Sequence, residues 1–347
     1  MSTRLYFDMS NKDAEADNFE KILRWIFNQP FHAAPAIGSR PNFLEKTYKT
    51  GSALFRVGLH ETGESRGSLS NDAESVLAAI AEESQSFHLR LINEANPAQD
   101  IVEVIKGFRP VSENAYRALR EVLSRRSLEY VDVIHDFFEK LLMLWDYAPL
   151  NEQYSRWDRD AYRYFVHDLF VSFLAICMEK RAFEFAADFL AMPFFKLKPH
   201  DKTGESVDYT AFRPYLESLD NHGKLQRRLS LHADLLMEGH EHSVVNQSMF
   251  SEADLTLHIR GLLVPKLSWY PVSALYLTDT YGALPTYARA RSTRFYQRLS
   301  PLLMNTGANE LKKHLAELAS GGRGLRFDYR TLDIERLVAA PELATSA

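Results

Sequence analysis

The chain holds a single cysteine, Cys177, in 347 residues. One thiol excludes a disulfide framework and any cysteine-ligated zinc or iron–sulfur centre, and it fits a reducing compartment. Long apolar runs are also missing. The most apolar stretch, Leu169 to Met178, is interrupted by polar residues well short of the roughly 20 residues that span a bilayer, so no membrane helix and no membrane partner are expected. Basic charge is not in excess, because 41 Lys and Arg face 46 Asp and Glu for a formal charge of -5. Contact with nucleic acid would therefore need a local patch. The start, MSTRLYFDMSNKDAEADNF, lacks the apolar core and cleavage site of a secretory signal, which predicts a cytoplasmic protein.

Two kinds of cofactor signature are absent as well. The glycines between Gly58 and Gly67 and between Gly321 and Gly324 lack the strand-to-helix setting and the GK[ST] ending of a phosphate loop. No HExxH helix occurs, and the one histidine-rich stretch, Glu238-Gly239-His240-Glu241-His242, reads better as a solvated polar loop than as a metal site. No cofactor and no metal are expected.

What is present is a globular composition, 46% hydrophobic and 25% charged, in a chain long enough for two domains. The first, residues 1–68, reads as a short strand Arg4 to Phe7, a helix carrying Phe19, Ile22, Leu23, Ile26 and Phe27, and a Pro/Gly-rich linker from Pro30 to Gly67. The second, residues 69–347, reads as helices in close succession. They are expected from Ser70 to about Asn93, from Ser112 to Leu123, through Val131 to Trp145, from Asp158 or Asp160 through Cys177, and from Phe183 to Met192. A polar loop should cover Lys196 to Ser206. Further helices are expected over Tyr209–Leu219, Arg227–Glu238, Ser251–Leu263 with a capping box at its start, Pro285–Leu299 and Asn309–Leu318. Trp269 to Tyr281 should be extended or irregular. Strand-like alternation is scarce, so the fold class is all-α: an irregular multi-helix array with a short extended N-terminal segment.

Three features carry chemistry. Arg227 and His232, in QRRLSLHADLL, have the Arg-x4-His spacing of helical HEPN-type ribonucleases, in which an arginine steadies phosphate charge while a histidine handles a proton. The competing reading is a helix-face salt bridge of these groups with Asp234 or Glu238. Arg289, Arg291, Arg294 and Arg298 form a second basic feature, with the last three at i, i+3 and i+7 of an expected helix. Planar guanidinium forks clamp phosphate or carboxylate, so these four are candidates for binding a partner or an anion, against the alternative of a solvated face. The Tyr and Phe stripe from Tyr162 to Phe173, and Cys177 itself, read as core.

NFEKILRWIFNQPFHAAPAIGSRPNFL, FRPYLESLDNHGKLQRRLSLHADLL and WYPVSALYLTDTYGALPTYARARSTRFYQRL together resemble the helical region that follows a TIR or SEFIR effector domain in bacterial, antiphage-type proteins. The resemblance covers, in patches, Asn18 to Leu299, and RLYFDMS resembles the last strand and exit of such an effector. It implies a non-catalytic sensor or assembly module, with the effector domain itself not in this chain. Such a module regulates a TIR-like NAD-cleaving effector by oligomerisation, with that effector or a second copy as partner and a phage-derived or nucleic-acid cue as trigger. A HEPN-like nuclease using Arg227 and His232, or a plain scaffold protein, are the alternatives.

Overall fold

The computed structural model describes residues 66–85, 97–124, 130–146, 157–197, 204–220, 227–320, 324–327 and 330–346. The strand, helix and linker expected before residue 66 lie outside the described residues. The described chain is all-α, with two small antiparallel hairpins.

Five helices build the first half: α1 (Arg66–Gln85), α2 (Pro97–Ser124), α3 (Tyr130–Met143), α4 (Asp160–Glu179) and α5 (Phe183–Ala191). α4 is apolar on every side, and from Asp160 to Met178 only Arg163 escapes burial. A helix with no polar face must be enclosed, and α2 and α7 (Gln247–Leu262) pack along it. By length and hydropathy α4 is also long and apolar enough to cross a bilayer, yet 94% of its apolar window is buried in protein. Phe138 of α3 meets Phe170 and Phe173 of α4 and Phe189 of α5, each with ring centroids 5.5 Å away. Burial of such rings is worth about 1.5–3 kcal/mol each. Cys177 sits fully buried in the same core.

The second half adds α6 (Leu231–His240), α7, α8 (Pro285–Arg289), α9 (Thr293–Leu299), α10 (Ala308–Ser320) and α11 (Ile334–Leu337). The C-terminal segment clasps the α8–α9 region: Leu284 N–H donates to the Leu337 carbonyl, Ala344 N–H to that of Ala290, and Thr293 N–H to that of Ser346.

Several expectations are corrected. α1 begins at Arg66, ahead of Ser70, so Arg66 and Gly67 belong to a helix and not to the linker. α2 is one 28-residue helix running through Pro110. It survives because Pro110 lies on the solvent side, while Ile101, Ile105, Phe108, Val111, Ala115 and Leu119 keep a continuous buried stripe. The expected polar loop after Pro193 contains a hairpin, β1 (Phe194–Leu197) with β2 (Gly204–Val207), pairing Phe194 with Val207 and Lys196 with Glu205. Tyr209–Phe212 is a single 3-10 turn, because Pro214 removes the amide a helix would need. The Ser251 capping box fails: Asn246 caps α7 through the Met249 amide, and Ser251 lies buried inside the helix. The expected Pro285–Leu299 helix is two, broken at Arg291-Ser292.

Candidate functional site

Aromatic anchors place an arginine at the mouth of a cleft. The Asp208 carboxylate accepts from the Thr210 amide at 2.8 Å and starts the 3-10 turn. Phe212, at its end, stacks on Phe170 with centroids 4.2 Å apart and planes 8° from parallel. Arg213 follows at once, held extended at φ -98° and ψ 93° as the residue before a proline must be. Its Nε donates to the Tyr270 carbonyl at 2.6 Å and its Nη1 to that of Pro214, and its guanidinium lies 5.7 Å over the Tyr270 ring. No carboxylate among the described residues forms an ion pair with it.

Tyr270 is fixed from the other side. Asp254 of α7 is fully buried and accepts from Trp269 Nε1 at 2.7 Å, Ser273 N–H at 2.8 Å and Ser273 Oγ at 2.7 Å. Burial raises its pKa, and these donors and Arg213 oppose the rise. The cleft between these parts has a volume of about 600 Å³, within the range of small-molecule sites. Arg213, Tyr215, Ser230, His232, Tyr270 and Arg326 carry most of its chemistry.

His232 forms part of the cleft wall. It is 5% exposed, and its Nε2 is buried without a hydrogen-bond partner among the described residues. Its ring lies 5.3 Å from that of Tyr164 and 5.1 Å from that of His167. Burial, helped by the nearby Arg213 charge, drives its pKa well below the ordinary histidine range, so the ring is neutral.

The expected site residues are not brought together. Arg227 is exposed in a left-handed turn, φ 56°, ahead of α6. It is not on the helix that carries His232, which starts at Leu231 with Ser230 as its cap. The expected salt bridge to Asp234 is formed by its neighbour Arg228 at 2.6 Å, while Glu238 pairs with Arg109 at 2.9 Å and Lys106 at 3.5 Å. Arg294 and Arg298 share an exposed face of α9, but Arg291 lies in the break before it and pairs with Glu342 at 2.5 Å. Arg289 ends α8, and its charge acts on buried Glu252. The histidine-rich stretch is only partly the solvated loop expected: Glu241 and His242 are exposed in a bend, but Glu238, Gly239 and His240 belong to α6, where His240 is 1% exposed. Its Nδ1 donates to the Val245 carbonyl at 2.6 Å and its Nε2 meets Asp168 at 2.7 Å.

One trio outside the cleft offers metal-ligand atoms within 4.8 Å of one another: His135, Asp136 and Glu139. Two of these are already occupied, since His135 Nε2 donates to the Pro193 carbonyl at 2.9 Å and Glu139 accepts from Phe195 N–H at 2.6 Å. His135 and Glu139 thus hold the start of the hairpin against α3.

Arg213 and His167 were missed from the sequence. The available signals were an arginine fixed by a following proline and a histidine in the middle of a mostly apolar helix. Comparison of the chain with protein-family models, curated proteins and solved structures finds no match.

Proposed function

We propose that this chain is the helical sensor and assembly module of a bacterial defence system, that it takes up its cue in the Arg213–His232 cleft, and that it thereby controls a TIR-like NAD-cleaving effector in the cytoplasm. The observation that carries the reading is the cleft itself: a cavity of about 600 Å³ with a half-buried arginine that forms no ion pair among the described residues. Two of the three segments that carry the resemblance, FRPYLESLDNHGKLQRRLSLHADLL and WYPVSALYLTDTYGALPTYARARSTRFYQRL, supply most of its lining, from Arg213 to His232 and from Tyr270 to Leu275. The partner-facing surface is the exposed pair Arg294 and Arg298.

The nuclease alternative is less well supported. An acid–base histidine works best with a pKa near the working pH, whereas burial and Arg213 hold that of His232 well below its ordinary range, and Arg227 precedes the helix that carries it.

The test uses bacterial cells carrying the locus, challenged with phage while cellular NAD is followed. NAD should fall on challenge with the parent chain and persist with Arg213→Gln. An unchanged NAD fall when this chain is deleted would overturn the reading, and an RNase activity of the purified chain lost in His232→Ala would replace it with the nuclease.

A further inference from the structure

Resting on the reading of the cleft as the cue site, we infer that the cleft binds a small phosphomonoester whose phosphate sits at the N-terminus of α6 against Arg213, with an apolar or aromatic remainder lying along Tyr270 and Phe327.

Four observations converge on the phosphate seat. Ser230 caps α6, and its Oγ accepts from the Ala233 amide at 3.1 Å. The two amides before that one, Leu231 and His232, occupy the first two helical positions and have no intrahelical acceptor. Such a terminus carries partial positive charge and donors aimed outward, and it opens on the cleft, since Leu229, Ser230 and His232 all line it. This helix has ten residues, long enough for its dipole to matter.

The second observation is Arg213. Two of its donors hold backbone carbonyls, and the remaining guanidinium N–H groups meet no carboxylate among the described residues. Asp254 and Asp220 act on Arg213 only through space, and a phosphate would add the bidentate hydrogen bonds that neither carboxylate makes.

The third is His232, 5% exposed, with Nε2 buried and unpartnered. A polar ring on a cleft wall with spare hydrogen-bonding capacity suits a ligand oxygen. The fourth is the charge balance. Arg326 adds a second cation with no ion-pair partner among the described residues, so the lining carries two arginines against one carboxylate, Asp220, which accepts from the Tyr215 hydroxyl and acts on Arg213 only through space.

Phosphate fits this donor set better than carboxylate. Its three terminal oxygens can take the helix amides and the guanidinium fork together, while a carboxylate has only two. The apolar walls then explain a cleft larger than a bare anion needs. Tyr270, 44% exposed, meets Phe327 edge-on at 5.9 Å and leaves room for a flat group.

Phenyl phosphate, inorganic phosphate and phenol are the probes, titrated calorimetrically into the purified full-length chain. Phenyl phosphate should bind saturably and about tenfold more tightly than inorganic phosphate, and phenol should not bind. Arg213→Gln should weaken phenyl phosphate by about tenfold or more, and rising salt should weaken the parent too. Because Arg213 also holds backbone carbonyls, Arg326→Gln is the second variant: exposed, and with no side-chain hydrogen bond among the described residues, it should keep the parent melting temperature and still weaken binding several-fold. Equal binding of phenol and phenyl phosphate, no binding of phenyl phosphate, or parent affinity in both variants would each overturn the inference. Saturable binding without any effect of Arg213→Gln on defence would sink the sensor reading and leave the phosphate site standing. The reverse pattern would leave the sensor reading with a different cue.

Discussion

His167 and His232 meet edge to face, with ring centroids 5.1 Å apart and planes at 71°, and three of their four ring nitrogens are buried with no hydrogen-bond partner among the described residues. Two imidazoles can share such a space only if both are neutral. Burial, above all, holds both pKa values well below the ordinary range, and their mutual repulsion adds to the effect at His167.

A pH dependence follows with a fixed sign. The unfolded histidines take up protons below about pH 6.5 while the folded ones do not, so this contribution is complete above that pH and is lost as pH falls. Each histidine removes at most about 1.4 kcal/mol per pH unit. Buried Asp160, Asp254 and Glu252 have raised pKa values and contribute with the opposite sign, so the clean measurement is a difference. Urea unfolding of the parent and of His167→Phe between pH 6.5 and 5.5 should show the parent losing stability faster by up to about 1.4 kcal/mol per unit. Parallel profiles would mean that His167 is charged or solvated.

Another buried histidine, His240, is partnered at both ring nitrogens, and its neighbours should behave as a unit. Asp168 accepts from Tyr116 Oη at 2.5 Å and meets His240 Nε2 at 2.7 Å, all three under 10% exposed. Asp168→Ala strands both partners and should cost about 3–5 kcal/mol. Tyr116→Phe removes one donor and should cost about 1–2 kcal/mol. The double mutant should lose less than the sum of the two, and strict additivity in denaturant titrations would show that the bonds are energetically independent.

The helices carried by dense apolar periodicity were legible in the sequence. α3, α4 and α5 fall where Val131–Trp145, Asp160–Cys177 and Phe183–Met192 place them, because strong burial dominates local preference. The misreadings came where a local signal was overruled by tertiary context. Pro110 is tolerated because it faces water, and Ser251 looked like a cap because the sequence does not reveal that Asn246 already fills that role. The cleft was legible only in part. His232 was noticed through a spacing that the fold does not use, whereas Arg213 acquires its role from Phe212 stacking on Phe170 and from a carbonyl 57 residues away. Contacts of that range leave no periodic trace.

The arginines around α9 now separate into two classes. Arg291 pairs with Glu342, but both side chains are about half exposed, so Arg291→Glu should cost under about 1 kcal/mol. Arg294→Glu/Arg298→Glu touches no ion pair among the described residues and should melt with the parent. Its effect belongs to association: co-sedimentation or light scattering should show weaker self-association or effector binding, with the difference shrinking as salt rises. A double mutant melting far below the parent would make these arginines structural.

Asp254 connects stability to the cleft. Its carboxylate holds Trp269 and Ser273 on either side of Tyr270, and the Tyr270 carbonyl is what Arg213 Nε grips. Asp254→Asn replaces one acceptor oxygen with a donor that must face the indole N–H or the Ser273 donors, so it should cost about 1–3 kcal/mol or more. Ser273→Ala removes only the hydroxyl bond and should cost about 1 kcal/mol. Both variants loosen the Trp269–Ser273 turn, yet only a displaced Tyr270 carbonyl frees Arg213. Phenyl phosphate affinity, measured at a temperature where each variant is fully folded, should therefore drop clearly for Asp254→Asn and little for Ser273→Ala. If Asp254→Asn lowers stability while binding stays at the parent value, Arg213 is positioned by Phe212 and Pro214 alone, and the buried carboxylate serves the core without serving the site.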